Sequence, residues 1–148
     1  MREFDACGIG FVADRQGRAS TSVLRTALDG LARVKHRGAV AADSKSADGS
    51  GVLTTIPRPL FGDGNGVAVL FARVDDARAH VEAALAEESV ALVEWRAVPT
   101  DDDVLGEVAR SSRPDFVHAV FGPPSGDRDP EVTAYRVQRR LGRVEGLY

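Results

Sequence analysis

Cys7 is the single cysteine among 148 residues, which excludes an internal disulfide and points to a reducing compartment. No apolar run approaches the roughly 20 residues that a membrane-spanning helix needs, so no membrane association is expected. The opening residues Met1-Arg2-Glu3-Phe4-Asp5-Ala6 are too short and too polar for a secretory signal peptide. A soluble, cytoplasmic protein is the expectation. Positive charge is not in surplus: 19 basic against 22 acidic residues leave a formal net charge of −3, the wrong balance for a dedicated nucleic-acid binder. No Gly-Lys-Ser or Gly-Lys-Thr follows the glycine-rich Asp48-Gly49-Ser50-Gly51, so this is not a P-loop, and a tight turn entering a strand is the simpler reading. His36, His80 and His118, taken with Cys7, match no recognised ligand spacing, and no metal site is expected.

What is present is ordinary for a soluble domain, with 43% hydrophobic and 28% charged residues. The length suits one domain with a sizeable core, and no boundary, repeat or low-complexity tract interrupts it. Cys7-Gly8-Ile9-Gly10-Phe11-Val12-Ala13 alternates with period two, which predicts a buried strand opening at the cysteine. Gly8 and Gly10 leave one face of that strand bare, so a backbone or a ligand can approach. A thiol at such a mouth is placed to be a nucleophile, although free cysteines more often serve as small buried hydrophobes.

Asp14-Arg15-Gln16-Gly17-Arg18 reads as a turn. Ser20, Thr21 and Ser22 then offer N-caps for a helix running to about Arg37. Val23, Leu24, Ala27, Leu28 and Leu31 mark its core face, and Gly38 is a plausible stop. Lys35, His36 and Arg37 crowd the last turn, where cations meet the negative end of the helix dipole. Arg37 has a second use, because its guanidinium fork can bind a carboxylate bidentately. Further strands are predicted over 52–56, 67–72, 90–98 and 115–121. Helices are predicted from Asp75 or Asp76 to about Glu88, with Ala77, Val81, Ala84 and Leu85 inward, and from a Thr100/Asp103 capping box to about Ser111. Residues 132–143 are either extended and then helical or helical throughout. If helical, Arg136, Arg139, Arg140 and Arg143 share one face that is solvated, meets acidic neighbours or touches an anion. The alternation of strands and helices suggests α/β or α+β layering.

Taken in order, these blocks resemble one family, the amino-terminal glutaminase domain of the glutamate synthase large subunit. The blocks are Cys7 to Ala13, His36-Arg37-Gly38-Ala39-Val40 with Ala42-Asp43, Asp48-Gly49-Ser50-Gly51, Ile56-Pro57 with Leu60-Phe61, Trp95-Arg96-Ala97-Val98-Pro99, Leu105-Gly106 and Arg139-Arg140-Leu141. The first two resemble type 2 glutamine amidotransferases in general, and the Trp-Arg-x-Val-Pro block points to glutamate synthase.

The resemblance implies an α+β fold of the N-terminal-nucleophile hydrolase type, an αββα sandwich of which residues 7–148 are only the first part. It implies removal of a leader, Met1 to Ala6, to make Cys7 the first residue and catalytic nucleophile. Arg37 is implied as nearby substrate-binding support. L-glutamine is the implied substrate, and the remaining glutamate synthase domains or a small subunit are the implied partners. FMN and an iron–sulfur cluster are implied for the full-length enzyme only, with no cofactor in this chain. The family's later arginine, its Asn-Gly pair and its distal aspartate have no counterpart here, since Asn65-Gly66 lies in an early turn. The competing expectation is a catalytically inactive truncated module with a binding or interaction role.

Overall fold

The hydrophobic periodicities predict where a core forms. The computed structural model, which describes residues 8–34 and 38–148, gathers that core into one part of the chain. The elements run α1 (Thr21–Arg33), α2 (Arg58–Phe61), β1 (Gly66–Ala72), α3 (Ala77–Glu87), β2 (Leu92–Ala97), α4 (Glu107–Ser111), β3 (Asp115–Phe121) and α5 (Pro130–Leu141). A 3-10 turn, Asp102–Val104, precedes α4. Where the sequence predicts no internal boundary, the chain divides into two compact units, Met1–Thr55 with Asp101–Ser112 and Ile56–Thr100 with Arg113–Tyr148. The physical reason is that residues 103–109 bond to the stretch around Asp43 and not to a strand.

The second unit is a three-stranded antiparallel sheet in the order β1-β3-β2, with Ala68 opposite Ala119 and Trp95 on the other side of Ala119. Ala68, Leu70 and Ala72 of β1 alternate onto the face that Val117, Ala119 and Phe121 of β3 share. Against that face lie α3, through the buried Ala77, Val81, Ala84 and Leu85, and α5, through Thr133, Val137 and Leu141. All four inward positions predicted for α3 are buried. Val81 and Leu85 at i and i+4 form a narrow stripe, which suffices because alanines complete it. Residues 130–141 are helical throughout: Asp129 caps the backbone N–H groups of Glu131 and Val132, and Pro130 occupies the first helical position. The chain end returns to the outer edge of β1, where Tyr148 and Phe71 exchange backbone hydrogen bonds of 2.8 and 3.0 Å.

The opposite face of this sheet is aromatic and cationic. Phe71 and Phe116 meet edge to face at 5.1 Å, His118 meets Phe61 at 5.6 Å, and the Arg96 guanidinium lies over the Phe61 ring. Val69 and Phe71 on this face remain substantially exposed.

The first unit departs furthest from the sequence-based expectations. Residues 8–13 form no strand, and Ile9 and Phe11 are fully exposed. Residues 52–56 likewise run irregularly, with Leu53 fully exposed. Alternation supplies a strand with a face, but a strand persists only where a neighbour completes its hydrogen bonds. The N-cap of α1 is Ser20, as predicted, and its side chain accepts from Ser22 N. The helix ends at Arg33 with Val34 as its cap, so Gly38 is not the stop, and Lys35, His36 and Arg37 lie outside the described residues. Val23, Ala27 and Leu31 are half-buried, whereas Leu24 and Leu28 are exposed. The predicted helix from Thr100 is broken as well: Asp101, not Thr100, caps the 3-10 turn, and Gly106 separates that turn from α4.

Candidate active site

The glycine-rich and arginine-bearing blocks flank a small hairpin in the first unit. Its backbone closes through Ala41 N to Ser46 O at 2.8 Å and Asp48 N to Ala39 O at 3.2 Å, with Val40 bridging Ala47 antiparallel. The Asp48 carboxylate accepts from Ala39 N at 2.8 Å, which ties the two ends of the loop together. Residues 39 and 48 therefore sit side by side. The hairpin brings the chain leaving Gly38 and the chain entering Gly49-Ser50-Gly51 to a common mouth. A side chain added at Gly49 or Gly51 would meet open space, so this mouth is uncrowded.

The tip of the hairpin is anchored by Asp43. Its Oδ1 accepts from Lys45 N (3.0 Å) and Ser46 N (2.7 Å), the pattern of an aspartate-led turn, with Ser44 in the left-handed region. Its Oδ2 accepts from Ser46 Oγ at 2.6 Å and from Val108 N at 3.2 Å, and Ser46 Oγ accepts from Ala109 N at 3.0 Å. Two of the orphan N–H groups in the first turn of α4 are thus capped from a distant part of the chain. Lys45 Nζ donates to Asp103 O at 2.9 Å. Hydrogen bonds, first from the Ser46 side chain and then from the Ser46 and Lys45 backbone, hold the Asp43 carboxyl far below the usual carboxylate range. With both oxygens occupied by hydrogen bonds, this carboxylate anchors the loop. Gly106 has no side chain for a steric reason: a Cβ there would lie 2.6 Å from Ser46 N and closer still to Ser46 Oγ and Asp43 Oδ2.

Sequence reading missed this anchor. Its signal was Asp43 followed by Lys45 and Ser46, which is turn chemistry, but nothing local shows that the second oxygen reaches residue 108. Of the residues singled out in the sequence, Cys7, His36 and Arg37 lie outside the described residues. Gly8 and Gly10 are exposed, with nothing near a potential Cβ. His80 lies on α3 with its Nε2 3.2 Å from the Asp76 carboxylate. His118 lies on β3, and burial, then the positive charge of Arg96, pushes its imidazole pKa down and keeps the ring neutral. Among the described residues no three His, Cys, Asp or Glu side chains group as a metal site. None of their helices is long and apolar enough to cross a membrane.

The arginine cluster of α5 is the second polar feature. Arg136, Arg139 and Arg140 of α5 and Arg143 of the turn that follows it line, with Tyr135 and Glu88, a shallow cavity of about 410 Å³. Glu88 is buried at the end of α3. Its Oε1 accepts from Arg140 Nε and Nη2 at 3.2 and 3.0 Å, and its Oε2 lies 3.7 Å from Arg136 and 4.0 Å from Arg128. Arg140 also pairs with Glu87. The Arg140 hydrogen bonds, aided by the charges of all three arginines, hold the Glu88 carboxyl below its ordinary value.

Comparison with known proteins joins these blocks. The sequence profile described as class-II glutamine amidotransferases matches residues 7–146. The chain is 35% identical over 150 residues to ferredoxin-dependent glutamate synthase 2 of Synechocystis sp., which covers 89% of this chain and 10% of that protein. It is 36% identical over 164 residues to the ferredoxin-dependent glutamate synthase of Pyropia yezoensis, 99% of this chain and 11% of that protein. It is 32% identical over 164 residues to the glutamate synthase [NADPH] large chain of Azospirillum brasilense, 96% of this chain and 11% of that protein. The chain spans about a tenth of the length of these curated relatives. With a family match covering nearly all of its length and beginning at its one cysteine, the chain belongs to the class II glutamine amidotransferases.

Proposed function

We propose that residues 7–148 are the nucleophile-bearing part of the glutaminase domain of a glutamate synthase, which releases ammonia from L-glutamine for glutamate biosynthesis. The observation that carries this reading is the class II match, which starts at Cys7 and runs to residue 146, together with the glutamate synthase relatives. In this reading Met1 to Ala6 are removed and Cys7 becomes the first residue. Its freed α-amino group, with a pKa of about 7.7–8.0, takes the thiol proton. The thiolate then attacks the side-chain amide carbon, and the C–N bond breaks as the nitrogen is protonated and leaves as ammonia. Water hydrolyses the resulting glutamyl thioester to glutamate and restores the thiol. Arg37, next to the hairpin mouth in sequence, supports the substrate carboxylate.

We place the three-stranded sheet, helices on one face and a part-exposed aromatic face on the other, as one layer pair of an αββα sandwich. The oxyanion-binding groups, and those that complete carboxylate binding beside Arg37, are then supplied by further polypeptide or by a partner, in a reducing compartment such as the cytoplasm. An iron–sulfur cluster does not fit the residues present, because a cluster takes about four cysteine thiolates and this chain has one, and we assign FMN with it to other parts of the enzyme.

The test is the N-terminal residue and intact mass of the protein from its native host, followed by a glutaminase assay with and without its co-purifying polypeptides. A chain beginning at Cys7, with ammonia release abolished by Cys7→Ala, is the expected result. A chain still carrying Met1 to Ala6, unaffected by Cys7→Ala, overturns the reading and leaves an inactive interaction module.

A further inference from the structure

We infer that the arginine face of α5 is a docking surface for an acidic polypeptide segment. The inference rests on none of the amidotransferase chemistry. Within the cluster the arginines divide into two sets. Arg128, Arg136 and Arg140 converge on the buried Glu88, and Arg140 reaches Glu87 too. Arg139 on the last turn of α5 and Arg143 in the turn beyond Gly142 are exposed, close in sequence, and meet no carboxylate among the described residues. Like charges at this spacing repel, and a chain of net charge −3 has acids to spare for neutralising them. The helix dipole accounts for cations at the C-terminal end of α5, but it does not account for a cavity there lined by four arginines and Tyr135.

The buried carboxylate has a second effect. It holds the Arg140 guanidinium against the end of α3 by two hydrogen bonds, with that of Arg136 in ion-pair range beside it. Five arginines against Glu87 and Glu88 leave the surface positive. The exposed Tyr135 adds an aromatic anchor, and arginine with tyrosine is the composition of protein interface hot spots. The shape decides the class of anion. Arg136, Arg139 and Arg140 span about 6 Å of α5 at about 1.5 Å per residue, and Arg143 extends the stripe from the turn that follows the helix. The stripe is open along that length, so it does not enclose a small anion as ligand pockets do. A stripe this short on a net-acidic chain does not suit a nucleic-acid backbone either. An acidic segment laid along α5, with two or three carboxylates in reach of Arg139, Arg143 and the outer edges of Arg136, fits both length and charge.

The test is an amide NMR titration of the full chain at about 150 mM salt, where weak surface attraction is screened. The probes are a ten-residue peptide of alternating glutamate and alanine, the same peptide with glutamine for glutamate, pyrophosphate, and a ten-nucleotide single-stranded DNA. Expected are shifts concentrated between residues 135 and 143 with the glutamate peptide only. R139E/R143E is expected to weaken that binding at least tenfold, and R25E, on the exposed side of α1, to leave it unchanged. If the double variant fails to fold, the wild-type salt dependence decides instead, and a loss of binding between 50 and 300 mM salt localised to α5 is the expected outcome. Equal binding of the glutamine peptide, shifts scattered over the surface, stronger binding of pyrophosphate or DNA, or an equal loss with R25E overturns the inference.

Discussion

All the buried hydrophobic side chains found among the described residues, from Leu70 to Leu147, lie in the unit built on the sheet, whereas the unit carrying α1 and the 39–48 hairpin buries Ser46 and Gly106. Removal of apolar surface from water organises the first of these, and a saturated carboxylate organises the second. The family's sequence blocks fall mainly in the polar unit. Groups that must meet substrate belong on segments with exposed backbone, and such segments hold their geometry through directional bonds and not through packing.

The contrast can be broken from either side. Leu85→Ala removes one of the least exposed side chains of the core and is expected to cost about 2–5 kcal/mol of global stability in denaturant melts. Residues 39–48 should keep their amide protection pattern relative to the melt. Gly106→Ala forces a methyl group into Ser46 and Asp43, and overpacking of this kind costs about 1–3 kcal/mol. Its signature is faster hydrogen exchange at Ser46, Val108 and Ala109, with the sheet amides unchanged. An equal acceleration throughout the sheet would show that the two units do not unfold separately.

Acid should sharpen the distinction. The Asp43 carboxyl is depressed in the folded chain relative to its unfolded value of about 3.9, so the stability it contributes is complete above that value. That contribution fades as pH falls below about 4 and is lost as the pH passes through the depressed folded value. Exchange protection at Ser46 and Val108 should weaken with acidification over this range, and Asp43→Asn should lack that pH dependence. The smallest effect is expected from Ser20→Ala at the α1 cap. It should fray the first turn, by about 1 kcal/mol, visible in the exchange of Ser22 and not in the global melt.

Which parts were legible in the sequence follows from how local each determinant is. The inward face of α3 follows from helical periodicity alone, whereas the arginine face required residues 132–143 to be helical, which periodicity left open. The bounds of β3 followed from a strand-forming run ahead of the Gly122-Pro123-Pro124 loop, and the Ser20 cap from hydroxyl chemistry at a helix start. The family blocks were readable because they are contiguous. Residues 8–13 and 52–56 have strand periodicity yet form no strand, since pairing depends on a second segment that periodicity does not name.

The sequence by itself therefore determined the inward face of α3, the bounds of β3, the Ser20 cap and the contiguous family blocks that begin at Cys7. Only the tertiary structure decided that Asp43 caps α4, that Gly106 must lack a side chain, and that Glu88 collects three arginines. The carboxylates concerned reach partners as far as 65 and 52 residues away in sequence. Hydrogen bonds are short-ranged and directional, so such partners become visible only when the chain has already brought them together.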